Sequence, residues 1–212
     1  MKVAAVVPFK CFTRGKNRLR ARYADSEVEQ ILHALLLDVL GALGCAREVD
    51  HLAVLTDDEA VARVARAAGA DVCLRTPDPG LNEAIELAAA ELEAAGYEAL
   101  LVVLGDLPLL RGADVDEVVK VGEQHEIVLV PSSDGGTALL LLRPPRRIPP
   151  RFGPNSASRH AEAARKAELR AFEPDSPEEI CRVDLDTPED AERILASGIP
   201  CRTRDVLLKL AR

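Results

Sequence analysis

The chain has 212 residues, of which 48% are hydrophobic and only 3% aromatic, so the sequence predicts one domain over residues 1–212 with an aliphatic core. The net charge of −8 disfavours nucleic acid and anionic membranes as partners, because like charges repel. The apolar run near the N-terminus is too short for a signal peptide or a membrane span.

Strand and helix patterns alternate along the chain. Val3–Pro8 is a continuous apolar run, as in a strand buried on both faces. Further strands are predicted at 52–55, 72–74, 99–104, 127–131, 138–142, 169–172 and 183–185. Helices are predicted after N-caps at Ser26, Thr56 and Thr187, and at 82–95, 114–122, 158–167 and 206–210. This alternation predicts a three-layer α/β/α fold around a mostly parallel mixed sheet, with ligands beyond the carboxyl ends of the strands.

A basic loop follows the first predicted strand. Arg14, Lys16 and Arg18 surround Gly15, whose backbone allows close approach of a ligand. Such a loop either is simply solvated or cradles a triphosphate with its cations and backbone N–H groups. Its position directly after a strand, in an acidic chain, favours phosphate binding.

Three aspartates lie in or just after two other predicted strands. Asp106 lies in G-D-L-P-L-L, and Asp184 and Asp186 lie in V-D-L-D-T-P. Residues two apart in a strand face the same side, so the pair is expected to share one space, where a cation would neutralise it. Each aspartate also has a purely structural interpretation, as a turn residue or as support for the Thr187 cap. Together they favour a Mg²⁺ site.

Three further segments carry polar groups with two possible roles each. D-G-G-T ends at Thr137, and this motif by itself is most typical of a hairpin turn. F-G-P-N-S stands before a predicted helix, where an anion would be stabilised, and His160 beyond it is more often structural than catalytic. Asn82, in G-L-N-E-A, either caps its helix or reads a base edge.

These motifs occur in one order: V-P-F-K-x₅-K-x-R-L, G-L-N-E-A, G-D-L-P-L-L, D-G-G-T, F-G-P-N-S and D-x-D-T-P-E-D. The set resembles the 2-phospho-L-lactate guanylyltransferase family of coenzyme F420 biosynthesis, which includes relatives that use phosphoenolpyruvate. The resemblance implies a nucleotide-diphospho-sugar-transferase-like fold, Mg²⁺ as cofactor, GTP and a small phosphorylated acid as substrates, and a homodimer.

The resemblance also implies roles for individual residues. Those expected to be catalytic are Lys16 and Asp106. Those expected to contact the nucleotide are Arg14, Gly15, Lys16, Arg18, Asn82 and Glu83. Those expected to hold the phosphorylated acid are Thr137, Gly153 and Ser156. Those expected to bind Mg²⁺ are Asp106, Asp184 and Asp186. The family often has asparagine where this chain has Ala138, so a side-chain contact from that position is not expected.

Several alternatives stay open at this point. A molybdenum-cofactor guanylyltransferase would share many of these features, and a nucleotide-binding protein without turnover would share the fold. The sequence does not choose between phospholactate and phosphoenolpyruvate, or between GTP and another nucleotide. Five widely spaced cysteines without a C-x-x-C motif predict reduced thiols in a cytoplasmic protein, without structural zinc.

Overall fold

The computed structural model describes residues 1–13, 15–74, 78–174 and 178–211. Within these ranges the strands are β1 Val3–Pro8, β2 His51–Thr56, β3 Asp71–Leu74, β4 Ala99–Val103, β5 Ile127–Pro131 and β6 Thr137–Leu142. The helices are α1 Asp25–Cys45, α2 Glu59–Ala67, α3 Leu81–Ala94, α4 Gly112–Gly122, α5 Ser156–Lys166, α6 Pro188–Ser197 and α7 Arg202–Leu210. Short 3-10 helices lie at Leu19–Ala21 and Glu179–Arg182.

The six strands form one sheet in the order β3-β2-β1-β4-β6-β5. Strands β1 to β4 are mutually parallel, whereas β6 pairs antiparallel with both β4 and β5. The predicted mostly parallel mixed sheet is therefore confirmed. Because β6 is reversed, its first residue, Thr137, lies at the same sheet edge as the carboxyl ends of β1 and β4.

Helices cover both faces of this sheet and create two cores. Alternate β1 residues such as Val3 and Val7 pack into a larger core with α1, α4, α6 and α7. Val6 faces a smaller core with α3 and α5. Such alternation follows from the two-residue period of a strand, and it gives the predicted three layers. Helix α1 is apolar and long enough to cross a membrane, but half of that apolar stretch is buried here, as in a core helix.

Two predicted helix caps are wrong. Ser26 lies inside α1, and the carboxylate of Glu27 accepts a hydrogen bond from the backbone N–H of Ala24, which is the actual N-cap. Thr56 ends β2, and Asp58 caps α2 by accepting from two N–H groups of its first turn. In each case a second polar residue nearby satisfies the same helix terminus, and the local pattern does not distinguish the two.

The C-terminal third also departs from prediction. Residues 183–185 form no strand, and from the stretch around 169–172 only Phe172 pairs with the sheet, in a single parallel bridge to Val128. Helices α4, α5 and α7 begin earlier than predicted. The Thr187 cap is confirmed, because its hydroxyl accepts from the backbone N–H of Asp190 at the start of α6.

Candidate functional site

A cleft of about 470 Å³ opens at the carboxyl ends of β1, β2 and β4. Apolar side chains, including Phe9, Leu55 and Leu104, form much of its wall, and Lys16 and Asp106 also line it. This is the edge at which parallel α/β sheets bind ligands. The predicted location of the site is thus matched by a cavity.

Lys16 lies at the centre of the charged part of this cleft. Its ammonium donates to Asp106 Oδ2 at 2.7 Å and to Asp186 Oδ1. Burial alone would lower the pKa of Lys16, but the charges of Asp106 and Asp186 outweigh that effect and raise the pKa above its ordinary value. Gly15 and Lys16 both have positive φ, 111° and 48°, so the loop turns sharply to bring this ammonium inward.

Asp106 follows β4, and its two carboxylate oxygens differ. Oδ2 accepts from Lys16, whereas the buried Oδ1 has no hydrogen-bond partner among the described residues. A buried carboxylate oxygen without a partner is costly, and a bound cation would remove that cost. The backbone C=O of Asp106 accepts from the N–H of Leu185 at 3.0 Å, which ties the loop after β4 to the segment that carries the other two aspartates.

Asp184 and Asp186 do not lie in a strand, so the expected reason for their proximity is wrong. The chain between them is held beside β4 by the Leu185 hydrogen bond instead. Burial, followed by the nearby charges of Asp106 and Asp134, raises the pKa of Asp184 to about 6. Asp134, which the sequence did not single out, is therefore a fourth carboxylate of this region.

The aspartate oxygens are of the kind that binds Mg²⁺ and similar hard cations. The described residues contain no group of three His, Cys, Asp or Glu side chains already arranged around a single metal position. Instead, the Lys16 ammonium contacts Asp106 and Asp186 together. The donor types and the unpartnered Asp106 Oδ1 fit a divalent cation, and which aspartates bind it stays a prediction.

The residues expected to hold the phosphorylated acid come together where β6 and α5 begin. Thr137 begins β6 and Ser156 begins α5, and the Ser156 hydroxyl donates to Thr137 Oγ1 at 2.9 Å. Both residues are fully buried, as is His160, whose Nδ1 is 3.0 Å from Thr137 Oγ1. Gly153 is exposed, with a φ of 118°. The structure thus brings the three predicted residues to one loop region, with Gly153 outermost.

The residues expected to contact the nucleotide are less uniformly placed. Gly15 and Lys16 line the cleft. Arg18 and Glu83 are exposed, and Arg14 lies outside the described residues. Asn82 does not cap α3, because its side chain bonds to the backbone of Phe152. The contacts of these residues with a nucleotide stay predictions.

The D-G-G-T segment forms the turn between β5 and β6, as its sequence favoured. Asp134 accepts from the N–H of Gly136 and from Ser132, and these hydrogen bonds lower its pKa even though burial opposes them. A Cβ at Gly136 would lie 2.6 Å from Ser132 Oγ, so the turn requires glycine there. Ala138 is buried in the larger core and makes no side-chain contact with the cleft.

Comparison with known proteins gives a consistent family. Residues 3–211 match the family described as "Guanylyl transferase CofC like". The chain is 37% identical to a phosphoenolpyruvate guanylyltransferase of Sphaerobacter thermophilus, with 92% of this chain and 93% of the relative covered. It is 39% identical to a 3-phospho-D-glycerate guanylyltransferase of Phenylobacterium zucineum, with 92% and 91% covered. It is 34% identical to a 2-phospho-L-lactate guanylyltransferase of Methanothermobacter thermautotrophicus, with 99% and 92% covered.

Solved structures agree on the fold. A crystal structure described as a nucleotide-diphospho-sugar transferase from Desulfovibrio desulfuricans G20 superposes with a TM-score of 0.82, at 16% identity, over 100% of this chain and 96% of that one. At that identity the likeness speaks to the fold alone, and it confirms the predicted fold class. The family match spans nearly the whole chain, and the chain therefore belongs to the CofC-like guanylyl transferase family.

Proposed function

We propose that this protein transfers GMP from GTP to a small phosphorylated acid and releases pyrophosphate, as a step in coenzyme F420 biosynthesis. The observation that carries the proposal is the convergence of Asp106 and Asp186 on Lys16, in a cleft of about 470 Å³ that Lys16 and Asp106 line. The choice of GTP as the donor is supported by relatives at 34–39% identity that are named guanylyltransferases.

The reaction needs no nucleophile from the protein. A phosphate oxygen of the acid attacks the α-phosphorus of GTP, the bond from that phosphorus to the bridging oxygen breaks, and pyrophosphate leaves with the bonding electrons. Catalysis then consists of holding the two anions in line and neutralising their charge. Lys16 supplies a positive charge to the phosphates, because a lysine ammonium is protonated at neutral pH. This accounts for a cleft whose described charged residues include aspartates and lysines.

A divalent cation, Mg²⁺ in this proposal, would be held by Asp106 with Asp184 or Asp186. When bound, it neutralises phosphoryl oxygens and holds the triphosphate against the carboxylates. The support from this chain is the unpartnered Asp106 Oδ1 amid nearby carboxylates. Among the solved structures of this fold, one from Mycobacterium tuberculosis H37Rv was determined in complex with manganese.

The acid acceptor is the least constrained part of the proposal. Relatives of similar identity are named for phosphoenolpyruvate, 3-phospho-D-glycerate and 2-phospho-L-lactate. We propose that the loop at residues 153–156, with Thr137, receives the acceptor. The motifs favour phospholactate and phosphoenolpyruvate as acceptors. Phosphoglycerate is a third candidate, because one relative is named for it.

Pyrophosphate release tests the proposal directly. The protein would be incubated with GTP, Mg²⁺ and each of the three acids in turn, and then with ATP, CTP or UTP in place of GTP. We expect release only when GTP and one of the acids are both present. Release from GTP without any acid would indicate hydrolysis, and the absence of release with all three acids would overturn the proposal.

We further propose a cytoplasmic homodimer. Support for the location comes from the sequence, in which five cysteines are widely spaced and form no C-x-x-C motif. Light scattering after size-exclusion chromatography measures the oligomeric state, and a mass near the 22.8 kDa of one chain would refute the dimer.

A further inference from the structure

The backbone just before the exposed Gly153 is held by a side chain from a distant helix. Asn82, in the first turn of α3, accepts from the N–H of Phe152 at Oδ1, at 2.7 Å. Its Nδ2 donates to the C=O of the same residue at 3.1 Å. The amide thus pairs with Phe152 as a neighbouring strand would, through one donor and one acceptor.

The preceding residue is held from another helix. His160, on α5, accepts the N–H of Arg151 at Nε2, at 2.8 Å. An imidazole nitrogen that accepts from an N–H carries no proton, so the proton of the neutral ring is on Nδ1. Nδ1 then donates to Thr137 Oγ1 at 3.0 Å. The fully buried ring also meets the Phe152 ring edge-on, with centroids 4.8 Å apart.

The two side chains therefore fix consecutive peptide groups at the entrance to the acid loop. Past them, the chain turns through positive φ at Gly153 and Asn155 before α5 begins. Such a turn keeps one conformation only when its flanks are held. Helix α3 also contributes Leu81 and Ala84 to the wall of the cleft, so Asn82 joins the nucleotide side of the site to the acid side.

We propose that Asn82 and His160 are positioning residues for the acid acceptor, which clamp Arg151 and Phe152 so that the loop at 153–156 is preformed. This inference rests on the proposed function, and it gives Asn82 a different role from the nucleotide contact expected from the sequence. The amide suits this role because it presents a donor and an acceptor on separate atoms, which a hydroxyl or an ionised carboxylate does not.

The isosteric variant Asn82→Asp tests the role of the amide. It keeps the acceptor for the N–H of Phe152 but replaces the donor with an anionic oxygen facing a carbonyl. We expect the KM for the acid to rise about tenfold and the KM for GTP to change by less than about twofold. Glu86→Gln, at an exposed position of the same helix, is the matched control and should alter neither. A rise in the KM for GTP, or altered nucleotide preference, with an unchanged KM for the acid would overturn the inference.

Two variants separate the bonds of His160. In His160→Gln the side-chain oxygen can reach the N–H of Arg151, whereas in His160→Asn the shorter amide can reach only Thr137. We expect His160→Gln to retain more of the affinity for the acid than His160→Asn. The reverse order would show that the Thr137 contact, and not the clamp on Arg151, matters for the acid.

Two measurements need no turnover and so stand even if the proposed acceptors fail. Hydrogen exchange at the Phe152 amide should be at least about tenfold faster in Asn82→Ala, which removes the acceptor for this N–H, than in the native protein; equal rates would refute the clamp. Nitrogen NMR of the native protein should show His160 with its proton on Nδ1. A proton on Nε2 would exclude the Arg151 bond, whatever the folding of the variants.

Discussion

Replacing Lys16 with methionine removes the ammonium from the cleft but keeps a long apolar side chain. The native ammonium is paired with Asp106 and Asp186, and only 14% of the Lys16 side chain is exposed. In Lys16→Met both carboxylates lose their cation, beside Asp184, whose pKa is already raised by burial and by neighbouring negative charge. The variant therefore tests how much the Lys16 charge stabilises the folded arrangement of Asp106 and Asp186.

The size of the effect follows from the exposure of the partners. Removing one member of a fully buried ion pair costs about 3–5 kcal/mol. Asp106 and Asp186 are 21% and 42% exposed, so solvent screens part of the attraction that is lost. We therefore expect Lys16→Met to lower the free energy of unfolding by about 2 kcal/mol at pH 7.5. Turnover should fall by at least about 100-fold, because the phosphates lose a fixed positive charge. Mg²⁺ should restore stability more in the variant than in the native protein.

Urea denaturation and pyrophosphate release measure these two quantities. The matched control is Lys166→Met, since the Lys166–Glu162 pair has side chains 69% and 53% exposed and should contribute less than about 0.5 kcal/mol. If Lys16→Met and the control were equally stable, the two carboxylates would not depend on the ammonium. If turnover were also unchanged, Lys16 would have no role at the phosphates.

Three further outcomes are expected. Gly105→Ala should lower the stability by about 2 kcal/mol in urea denaturation and raise the KM for GTP. The reason is that the new Cβ would lie 2.5 Å from the Phe9 ring in the cleft wall. Unchanged values would mean that Phe9 moves aside freely. Asp106→Asn should weaken Mn²⁺ binding at least about tenfold in a calorimetric titration, and equal binding would exclude Asp106 as a ligand. The pKa of His160 is lowered to about 4 by burial and then by nearby arginines, so as pH falls from 6.5 to about 4 the unfolded chain gains a proton that the folded chain does not. Stability should fall by about 3 kcal/mol over that window and more steeply than in His160→Gln; parallel curves would show that the ring is not held neutral.

The sequence predicted the layers and the sheet well because they depend on local periodicity. Apolar runs such as Val3–Pro8 and Ala99–Val103 have few alternatives to buried strands. Helix starts were less predictable, since a polar residue close to each predicted cap satisfies the helix terminus instead. For α1 this residue is Glu27, next to Ser26, and for α2 it is Asp58, two residues after Thr56. The local pattern does not distinguish such neighbours.

The geometry of the site was less predictable from the sequence than the fold. The aspartate pair was expected to converge through strand alternation, yet Asp184 and Asp186 lie in an irregular segment. They are brought to Asp106 by a hydrogen bond between its C=O and Leu185, a tertiary contact that no sequence period encodes. The partner of Asn82 is likewise a backbone group, 70 residues along the chain, and His160 accepts from the backbone N–H of Arg151. Backbone groups are the same at every residue, so the sequence offers no signal for such pairings.

The reversed strand β6 has a consequence for how this enzyme family diversifies. It divides the fold into a parallel half, β1 to β4, whose carboxyl ends form the cleft, and a hairpin half, from β5 to α5, which contains the loop that we propose to receive the acid. The two halves meet at Thr137, opposite the end of β4. Under the proposed function, changes confined to the hairpin half would alter which acid is accepted, provided that Phe152 keeps its hydrogen bonds with Asn82 of the other half.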